Sequence, residues 1–187
     1  LVLCQELKLA LALLDEAMRL ADESGDLSTV ALSHINRSYA KHFLRTQLQA
    51  VDPESADALG RAIADECRLG ADVARIAGDV WNLRIALANG AEAYADIGDI
   101  ARASACIEEY EELPQDLGPR ERVHLLYSKS DILLKLGHYD EVLPLLLEAY
   151  EVITRTGHHD HKSNVLRRLA DLKAKTGNYQ EAYDYHC

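Results

Sequence analysis

The fold of this 187-residue chain is decided by residues 98–139, GDIARASACIEEYEELPQDLGPRERVHLLYSKSDILLKLGHY. Two segments of helical length, with apolar residues at helical spacing, lie between a glycine turn at Gly98 and an equivalent turn at Gly137. The same kind of turn recurs at Gly177, so the two steps are 39 and 40 residues. One helix pair cannot bury its apolar stripe alone, and the repetition therefore predicts an all-α stack of helix pairs.

A second series of glycine turns lies halfway between the members of the first and divides each unit into a first helix, A, and a second helix, B. Its members, 40 and 39 residues apart, are Gly78, Gly118 and Gly157. Asp99 and Asn178 follow turn glycines, where a short side-chain oxygen can accept from the free N–H groups of a first helical turn. Glu181 stands three residues after Asn178, at the spacing of a reciprocal capping box.

Glycine and proline are scarce, with ten and four residues in 187, which is typical of long helices joined by short turns. Pro53 and Pro119 each stand at a predicted first helical position, where the missing N–H costs nothing. Pro144 falls within the first turns of a predicted helix, so we expect a small distortion there and not a break.

The spacing of the turns predicts about nine helices in a single solenoid over residues 1–187, with a repeat of about 40 residues. One unit is longer because QLQAVDPES, residues 47–55, adds residues between its two helices. The predicted boundaries are 1–25 for a partial repeat that shows only its second helix, 26–78, 79–117 and 118–156 for complete repeats, and 157–187 for a truncated repeat.

Small residues recur at fixed places around the turns. Four of them lie seven positions before a turn glycine, or at the equivalent place in the earlier unit; they are Ser38, Ala91, Ser130 and Ala170. Two lie five positions after a turn glycine; they are Ala103 and Ala182. Together with the Gly-x-Tyr turns, this pattern resembles the tetratricopeptide (TPR) repeat, in which small residues lie where helices A and B cross. The resemblance implies a right-handed α–α superhelix of antiparallel helices. The period exceeds the usual TPR length of about 34 residues, so we expect longer helices. Armadillo and HEAT repeats share the longer period, but the Gly-x-Tyr turns favour the TPR interpretation.

In TPR proteins the A helices line the hollow side of the superhelix, and partners bind there. The residues that the resemblance places on this concave face are Tyr39, His42, Phe43, Glu92, Asp96, His124, Tyr127, Asp131, Lys135, Arg167, Asp171 and Lys175. Within this set, Tyr39, His42 and Phe43 are either ligand contacts or packing residues, and the sequence favours packing. Trp81, at the start of an A helix, is predicted to be an anchor between repeats.

The formal net charge of −11 argues against nucleic-acid partners, because an acidic surface repels phosphate backbones. It also argues against docking on anionic membranes. The apolar opening LVLCQELKLALALL is interrupted by Glu6 and Lys8, is too short to span a bilayer, and lacks the features of a signal peptide. Four cysteines stand at positions 4, 67, 106 and 187, too dispersed for a disulfide framework or a zinc site. We expect free, mostly buried thiols in a cytoplasmic protein.

Few residues suggest chemistry. The run His158-His159-Asp160-His161 contains zinc-ligand groups, but consecutive residues on a turn do not converge on one ion, and a solvated turn is expected. The carboxylate pairs Glu108-Glu109 and Glu111-Glu112 are predicted on the exposed side of a B helix. The sequence contains neither a phosphate-binding loop nor a nucleophile motif. We therefore predict neither an enzyme nor a cofactor.

Basic residues concentrate in the last A helix, at Arg167, Arg168, Lys173 and Lys175. In an acidic molecule this stripe could receive an acidic peptide. The alternative, which the sequence favours, is that the stripe pairs with acidic residues of the preceding repeat.

The final repeat, GHHDHKSNVLRRLADLKAKTGNYQEAYDYH at residues 157–186, resembles the last repeat of TPR arms that precede GGDEF-type diguanylate cyclase domains in bacterial signalling proteins. The chain stops within a half-apolar helix and contains no GGDEF motif, so we expect a fragment whose parent carries a C-terminal output domain. The predicted function is a protein- or peptide-binding scaffold that acts as the regulatory arm of such a protein. Two alternatives are a small-molecule-sensing solenoid and the peptide-binding arm of a transcriptional regulator.

Overall fold

A computed structural model of the chain describes residues 2–114, 116–157 and 162–186. Within these residues the chain forms nine α-helices and no strand, which confirms the predicted all-α fold. The helices are α1 (Val2–Ser24), α2 (Leu27–Leu48), α3 (Pro53–Ala77), α4 (Val80–Asp96), α5 (Ile100–Glu112), α6 (Pro119–Leu136), α7 (Tyr139–Thr156), α8 (Lys162–Lys175) and α9 (Tyr179–His186). None of these described helices combines the length and the apolar character needed to cross a membrane.

Aspartate caps the first turn of four helices, α2 to α5. In each case the Oδ1 atom accepts a hydrogen bond from the backbone N–H three residues later, at 3.0–3.2 Å. The capping residues are Asp26, Asp52, Asp79 and Asp99. The bond satisfies one of the N–H groups that a first helical turn leaves without an intrahelical partner. The prediction for Asp99 is therefore confirmed.

Glycines with positive φ lie in the turns between helices. The φ angle lies between 67° and 81° at Gly25, Gly78, Gly98, Gly137, Gly157 and Gly177. Gly118, which the repeat pattern grouped with them, differs: it has φ −66° and ψ 166° and precedes the first residue of α6. The reason is Pro119, because the residue before a proline is held in extended backbone.

The prolines behave as the sequence predicts. Pro53 and Pro119 are the first residues of α3 and α6. Pro144 lies inside α7, which continues from Tyr139 to Thr156, so it does not break the helix. A fourth proline, Pro114, follows the end of α5, where Leu113 has extended backbone.

The chain divides into two compact units, Leu1–Leu113 and Pro114–Cys187. In the first unit α1 to α5 pack consecutively, and α2 also contacts α4. In the second unit α6 to α9 pack consecutively, and α6 also contacts α8. These additional contacts bring two A helices side by side within each unit.

The interiors of the two units differ in side-chain size. In the first unit the helices meet largely through alanine, at buried positions that include Ala31, Ala56, Ala74, Ala86, Ala88, Ala91 and Ala103. The second unit is filled by larger aliphatic groups, which include Val123, Leu126, Val142, Leu146, Ile153, Val165 and Leu169. The six predicted helix-crossing residues are all buried, as close helix contact requires; they are Ser38, Ala91, Ala103, Ser130, Ala170 and Ala182.

Candidate functional site

In the first unit the A helices α2 and α4 lie side by side and parallel. Three hydrogen bonds join them along their length. From the N-terminal to the C-terminal end of α2 they are Asn82 Nδ2 to the Ser28 carbonyl oxygen at 3.2 Å, Tyr39 Oη to Asn89 Oδ1 at 3.4 Å, and Arg45 Nη1 to Asp96 Oδ2 at 2.6 Å. The paired residues are 54, 50 and 51 positions apart, so the bonds follow the same order along both helices. Together the two helices form one surface.

This surface exposes large apolar side chains. Tyr39 and Phe43, one turn apart on α2, have 52% and 43% of their area exposed, and Leu32 lies two turns earlier on the same side. Trp81 is 51% exposed at the start of α4, and by helical spacing it lies on the side of α4 that carries Asn89. We name these five residues, Leu32, Tyr39, Phe43, Trp81 and Asn89, the α2–α4 face. Several large apolar groups in contact with water along one pair of joined helices indicate an interaction site.

The exposure of these aromatic residues bears on two interpretations from the sequence. Tyr39, His42 and Phe43 are exposed, so their side chains are not enclosed in the interior, although the sequence favours packing. Trp81 is half exposed, and its role as an anchor between repeats stays a prediction.

Two acidic residues predicted on the concave face accompany the aromatic ones. Glu92 is half-buried, whereas Asp96 is exposed at the end of α4. The guanidinium of Arg45 holds the Asp96 carboxylate at 2.6 Å and also donates to the Ala56 carbonyl oxygen at 3.2 Å. Because Arg45 joins α2, α3 and α4 in this way, this end of the α2–α4 face is held in a fixed geometry.

In the second unit the corresponding helices, α6 and α8, are joined by Arg168. Its Nη2 atom lies 2.5 Å from Asp131 Oδ1 and 3.2 Å from Tyr127 Oη, and its guanidinium stacks 5.3 Å from the centre of the Tyr127 ring. Lys135 Nζ lies 3.3 Å from the other carboxylate oxygen of Asp131. We name these four residues the Arg168 cluster. Tyr127 and Asp131, which the resemblance placed on an open concave face, are buried, with 4% and 2% of their area exposed.

The remaining residues predicted for this face in the second unit are dispersed between surface and interior. His124 and Asp171 are half-buried, whereas Lys135, Arg167 and Lys175 are exposed. The Asp171 carboxylate lies at the edge of the Arg168 cluster, 3.8 Å from the guanidinium. The second unit thus presents separate charges where the first presents an aromatic patch.

Two basic residues of α8, Arg168 and Lys173, form ion pairs inside the unit. Arg168 pairs with Asp131 of the preceding repeat, which is the interpretation that the sequence favours. Lys173 Nζ lies 2.6 Å from the carboxylate of Glu181 on α9. Glu181 therefore forms an ion pair between α8 and α9, where the sequence predicted a capping box.

Sequence reasoning missed a buried carboxylate in α3. Glu66 is 5% exposed, and its oxygens lie 2.7 Å from His34 Nδ1, 2.9 Å from Arg37 Nε and 2.5 Å from Lys41 Nζ. Burial by itself raises the pKa of Glu66, but the hydrogen bonds from His34, Lys41 and Arg37 lower this pKa to about 2. Arg37 also contacts Asp15 of α1. We name these five residues the Glu66 cluster. Three side chains of α2 bind its carboxylate, and the cluster joins α1, α2 and α3, so it is a structural centre.

Metal ligands do not converge in the part of the chain that the structure describes, where no group of three or more His, Cys, Asp or Glu side chains could hold an ion. The turn at residues 158–161 lies outside the described residues. Of the predicted free thiols, Cys67 is buried and Cys106 half-buried.

The sequence matches no protein-family model, and no curated protein is significantly similar to it. The functional interpretation therefore depends on the geometry of the α2–α4 face.

Proposed function

We propose that the chain is a helical-repeat scaffold of the TPR type, with a right-handed superhelical path, that binds a peptide or protein on the α2–α4 face. The observation that carries the proposal is the exposure of Tyr39, Phe43 and Trp81 on two parallel helices joined by hydrogen bonds. Tyrosine and tryptophan are enriched among the residues that contribute most binding energy in interfaces. Helices that are already fixed in place also lose little conformational entropy when a partner binds.

The spacing and charge of the face describe its partner. Leu32, Tyr39 and Phe43 form a stripe along three turns of α2, which suits an amphipathic helix or an extended segment that presents apolar side chains at matching intervals. The chain has a net charge of −11, and a partner with basic residues beside its apolar side chains is steered towards such a surface. We therefore propose a basic, amphipathic segment as the ligand.

A selection experiment tests the proposal. Peptides would be selected from a displayed random library on the intact chain, and their Kd values measured for the wild type, Phe43→Ala and Leu147→Ala. Leu147 is a matched control because it is 46% exposed on α7, close to the 43% of Phe43. We expect Phe43→Ala to weaken the selected peptides about tenfold or more and Leu147→Ala to leave them unchanged. Peptides that bind all three proteins equally would refute the assignment of the α2–α4 face.

The resemblance of residues 157–186 to the last repeat of known arms supports a second part of the proposal. In it the scaffold catalyses no reaction and regulates a diguanylate cyclase output domain of a cytoplasmic bacterial signalling protein. The ligand would act by preferring one arrangement of the helices over another, since a ligand shifts an equilibrium only by its differential affinity. The test is cyclic di-GMP synthesis from GTP by the full-length parent, with and without residues 1–187. A DNA-binding output domain would favour the transcriptional-regulator alternative, and a parent without any output domain would leave a peptide-binding adaptor.

A further inference from the structure

A pocket of about 230 Å³ lies in the first unit, between α3 and α5, with α4 as its floor. Small side chains make up much of its wall, at Ala71 of α3, Ala86 and Gly90 of α4, and Ala105 of α5. In these helices, both described in full, no Cα atom of α3 comes within 8 Å of one in α5. The helices therefore stand apart here, and alanine and glycine leave the space between them unfilled. No residue of the α2–α4 face lines this pocket.

The two cysteines that line this pocket contribute apolar surface. A side-chain carbon placed at Gly90 would lie 3.5 Å from both Cys106 Sγ and Cys67 Cβ, so both residues approach α4 at this glycine. Burial raises the pKa of Cys67 to about 12 and that of Cys106 to about 11, and both thiols therefore stay protonated and weakly nucleophilic near neutral pH. A disulfide between them is excluded, because it requires Cα atoms within about 7 Å of each other and α3 and α5 are farther apart.

The charged residues that line the pocket are three arginines and two carboxylates, namely Arg68, Arg75, Arg102, Asp72 and Glu109. Two further carboxylates, Asp65 and Asp99, lie 4.0 Å from Arg68 and 3.4 Å from Arg102. Arg75 holds both carboxylates of the lining, with Nη1 at 2.8 Å from Asp72 and with Nε and Nη2 at 2.9–3.1 Å from Glu109. A cationic ligand would thus meet carboxylates that are already neutralised, whereas an anionic ligand would meet a group of arginines.

Arg102 is the cation best placed to receive that anion. Its guanidinium lies over the ring of Tyr94, 5.6 Å from the centroid, and Tyr94 also lines the pocket. The Arg102 side chain is 69% exposed, and its ion pair with Asp99 is long, at 3.4 Å. An incoming carboxylate can therefore bind Arg102 at the mouth while its apolar part enters beside Tyr94.

We propose that this pocket binds a small molecule that has an apolar body and one carboxylate group. The body packs against the alanines of the wall, Leu87 and Tyr94, and the carboxylate pairs with Arg102. The volume is below the roughly 300–1,000 Å³ of sites for drug-sized ligands, so the ligand is smaller than these. This site shares no residue with the peptide surface, and the proposal does not depend on that surface.

The test uses 3-phenylpropanoate as the probe and the neutral 3-phenylpropanamide as its matched analogue, in an amide-resolved NMR titration of the intact chain. We expect saturable shifts at the amides of Ala71, Ala86 and Ala105, and a Kd for the carboxylate about fivefold or more below that for the amide. Arg102→Gln should remove this difference between the carboxylate and the amide. Equal affinity of the two compounds for the wild type, or the absence of saturable shifts, would overturn the proposal.

A second pair of variants separates the pocket from the rest of α5. Ala105 is exposed at the mouth, so Ala105→Trp can fill the opening without placing its bulk in the interior. Ala101, one turn earlier on the same helix, is exposed and outside the pocket, and Ala101→Trp is the control. We expect Ala105→Trp to abolish binding of both compounds and Ala101→Trp to preserve it, with thermal unfolding confirming that each variant is folded. Equal binding of the two compounds by the two variants would contradict the location of the pocket beside Ala105. That outcome would leave the peptide experiment with Phe43→Ala unaffected.

Discussion

The two pairs of A helices are joined at the same place in the repeat by different chemistry. The residue that follows the small crossing serine is Tyr39 in the first unit and Asp131 in the second. Each of these side chains bonds to the residue that lies two positions before the small crossing residue of the next A helix. Tyr39 bonds to Asn89 at 3.4 Å, and Asp131 bonds to Arg168 at 2.5 Å. The tyrosine ring is half exposed, whereas the carboxylate is buried. The repeat therefore determines where the two A helices meet. The type of residue at that position determines whether the contact between the helices is exposed or buried.

The local backbone arrangement is the same in both units, so the difference does not come from the fold. Ser38 Oγ donates to the Ile35 carbonyl oxygen at 2.7 Å, and Ser130 Oγ donates to the Tyr127 carbonyl oxygen at 2.7 Å. Each serine satisfies its hydroxyl within its own helix, which lets a buried polar side chain occupy a close crossing. Where the A helices meet, the second unit buries the Tyr127 ring beneath Arg168, whereas the first unit leaves the Tyr39 ring half exposed.

The largest effect is expected where the two units are alike, at the small crossing residues. Ala91 and Ala170 have 0% and 1% of their area exposed, so neither site has volume for a ring. Ala91→Phe and Ala170→Phe should each lower the free energy of unfolding by about 3 kcal/mol, measured by urea unfolding. Ala174→Phe, at an exposed position of α8, is the control and should change it by less than about 0.5 kcal/mol. A variant at either crossing site that unfolds with the wild type would show that the repeat register is wrong.

A second prediction concerns the chemistry that distinguishes the units. Asp131→Asn removes the charge that neutralises Arg168 and Lys135, and the arginine, whose side chain is 20% exposed, loses its close ion pair at 2.5 Å. We expect a loss of about 2–3 kcal/mol in the free energy of unfolding, since breaking a buried pair leaves a desolvated charge. Asp171→Asn, which affects a carboxylate 3.8 Å from the same guanidinium, should cost less than about 0.5 kcal/mol. Similar losses from the two variants would mean that burial of the Arg168 cluster contributes little.

The Glu66 cluster gives a pH-dependent prediction for the first unit. The pKa of Glu66 is about 2 in the folded chain, below its ordinary value of 4.5. The stabilisation from the ionised carboxylate is therefore complete above about pH 4.5 and is lost as the pH falls through about 2. We expect Glu66→Gln to cost about 2 kcal/mol at neutral pH and this difference from the wild type to shrink from pH 4.5 downwards. Urea unfolding at a series of pH values measures it.

The matched control for the size of this effect is Asp57→Asn, since Asp57 is an exposed carboxylate on the same helix. It should change the free energy of unfolding at neutral pH by less than about 0.5 kcal/mol, because an exposed carboxylate contributes little to stability. A Glu66→Gln variant whose difference stayed constant down to pH 2 would contradict the assigned pKa shift.

Much of the fold follows from local sequence. Glycine turns, capping aspartates and helical spacing act within a few residues, and they predict the helices and most of their boundaries. Gly118 was misjudged because spacing grouped it with the positive-φ turns, although Pro119 beside it is itself a local signal for extended backbone.

The site was less predictable, because exposure depends on partners that are distant in the sequence. Asp131 is buried and pairs with Arg168, 37 residues away, whereas Tyr39 is half exposed and bonds to Asn89, 50 residues away. Nothing in the local pattern of either A helix distinguishes these outcomes. The Glu66 cluster left one signal, the basic residues His34, Arg37 and Lys41 on one side of α2, which indicates a buried acidic partner without naming it.

The smallest effect on stability is expected at Tyr39, and it tests the comparison most directly. Its ring is 52% exposed, and serine has nearly the same helix propensity as tyrosine, so Tyr39→Ser should change the free energy of unfolding by less than about 0.5 kcal/mol. Tyr127→Ser is the matched control, because that ring is 4% exposed beneath Arg168, and it should cost about 3 kcal/mol. The same Tyr39→Ser protein should bind the selected peptides about tenfold more weakly. A residue whose substitution lowers the affinity for the peptide but not the stability of the fold belongs to a binding surface. A large loss of stability in Tyr39→Ser would instead make Tyr39 a packing residue, and the two pairs of A helices would then be equivalent.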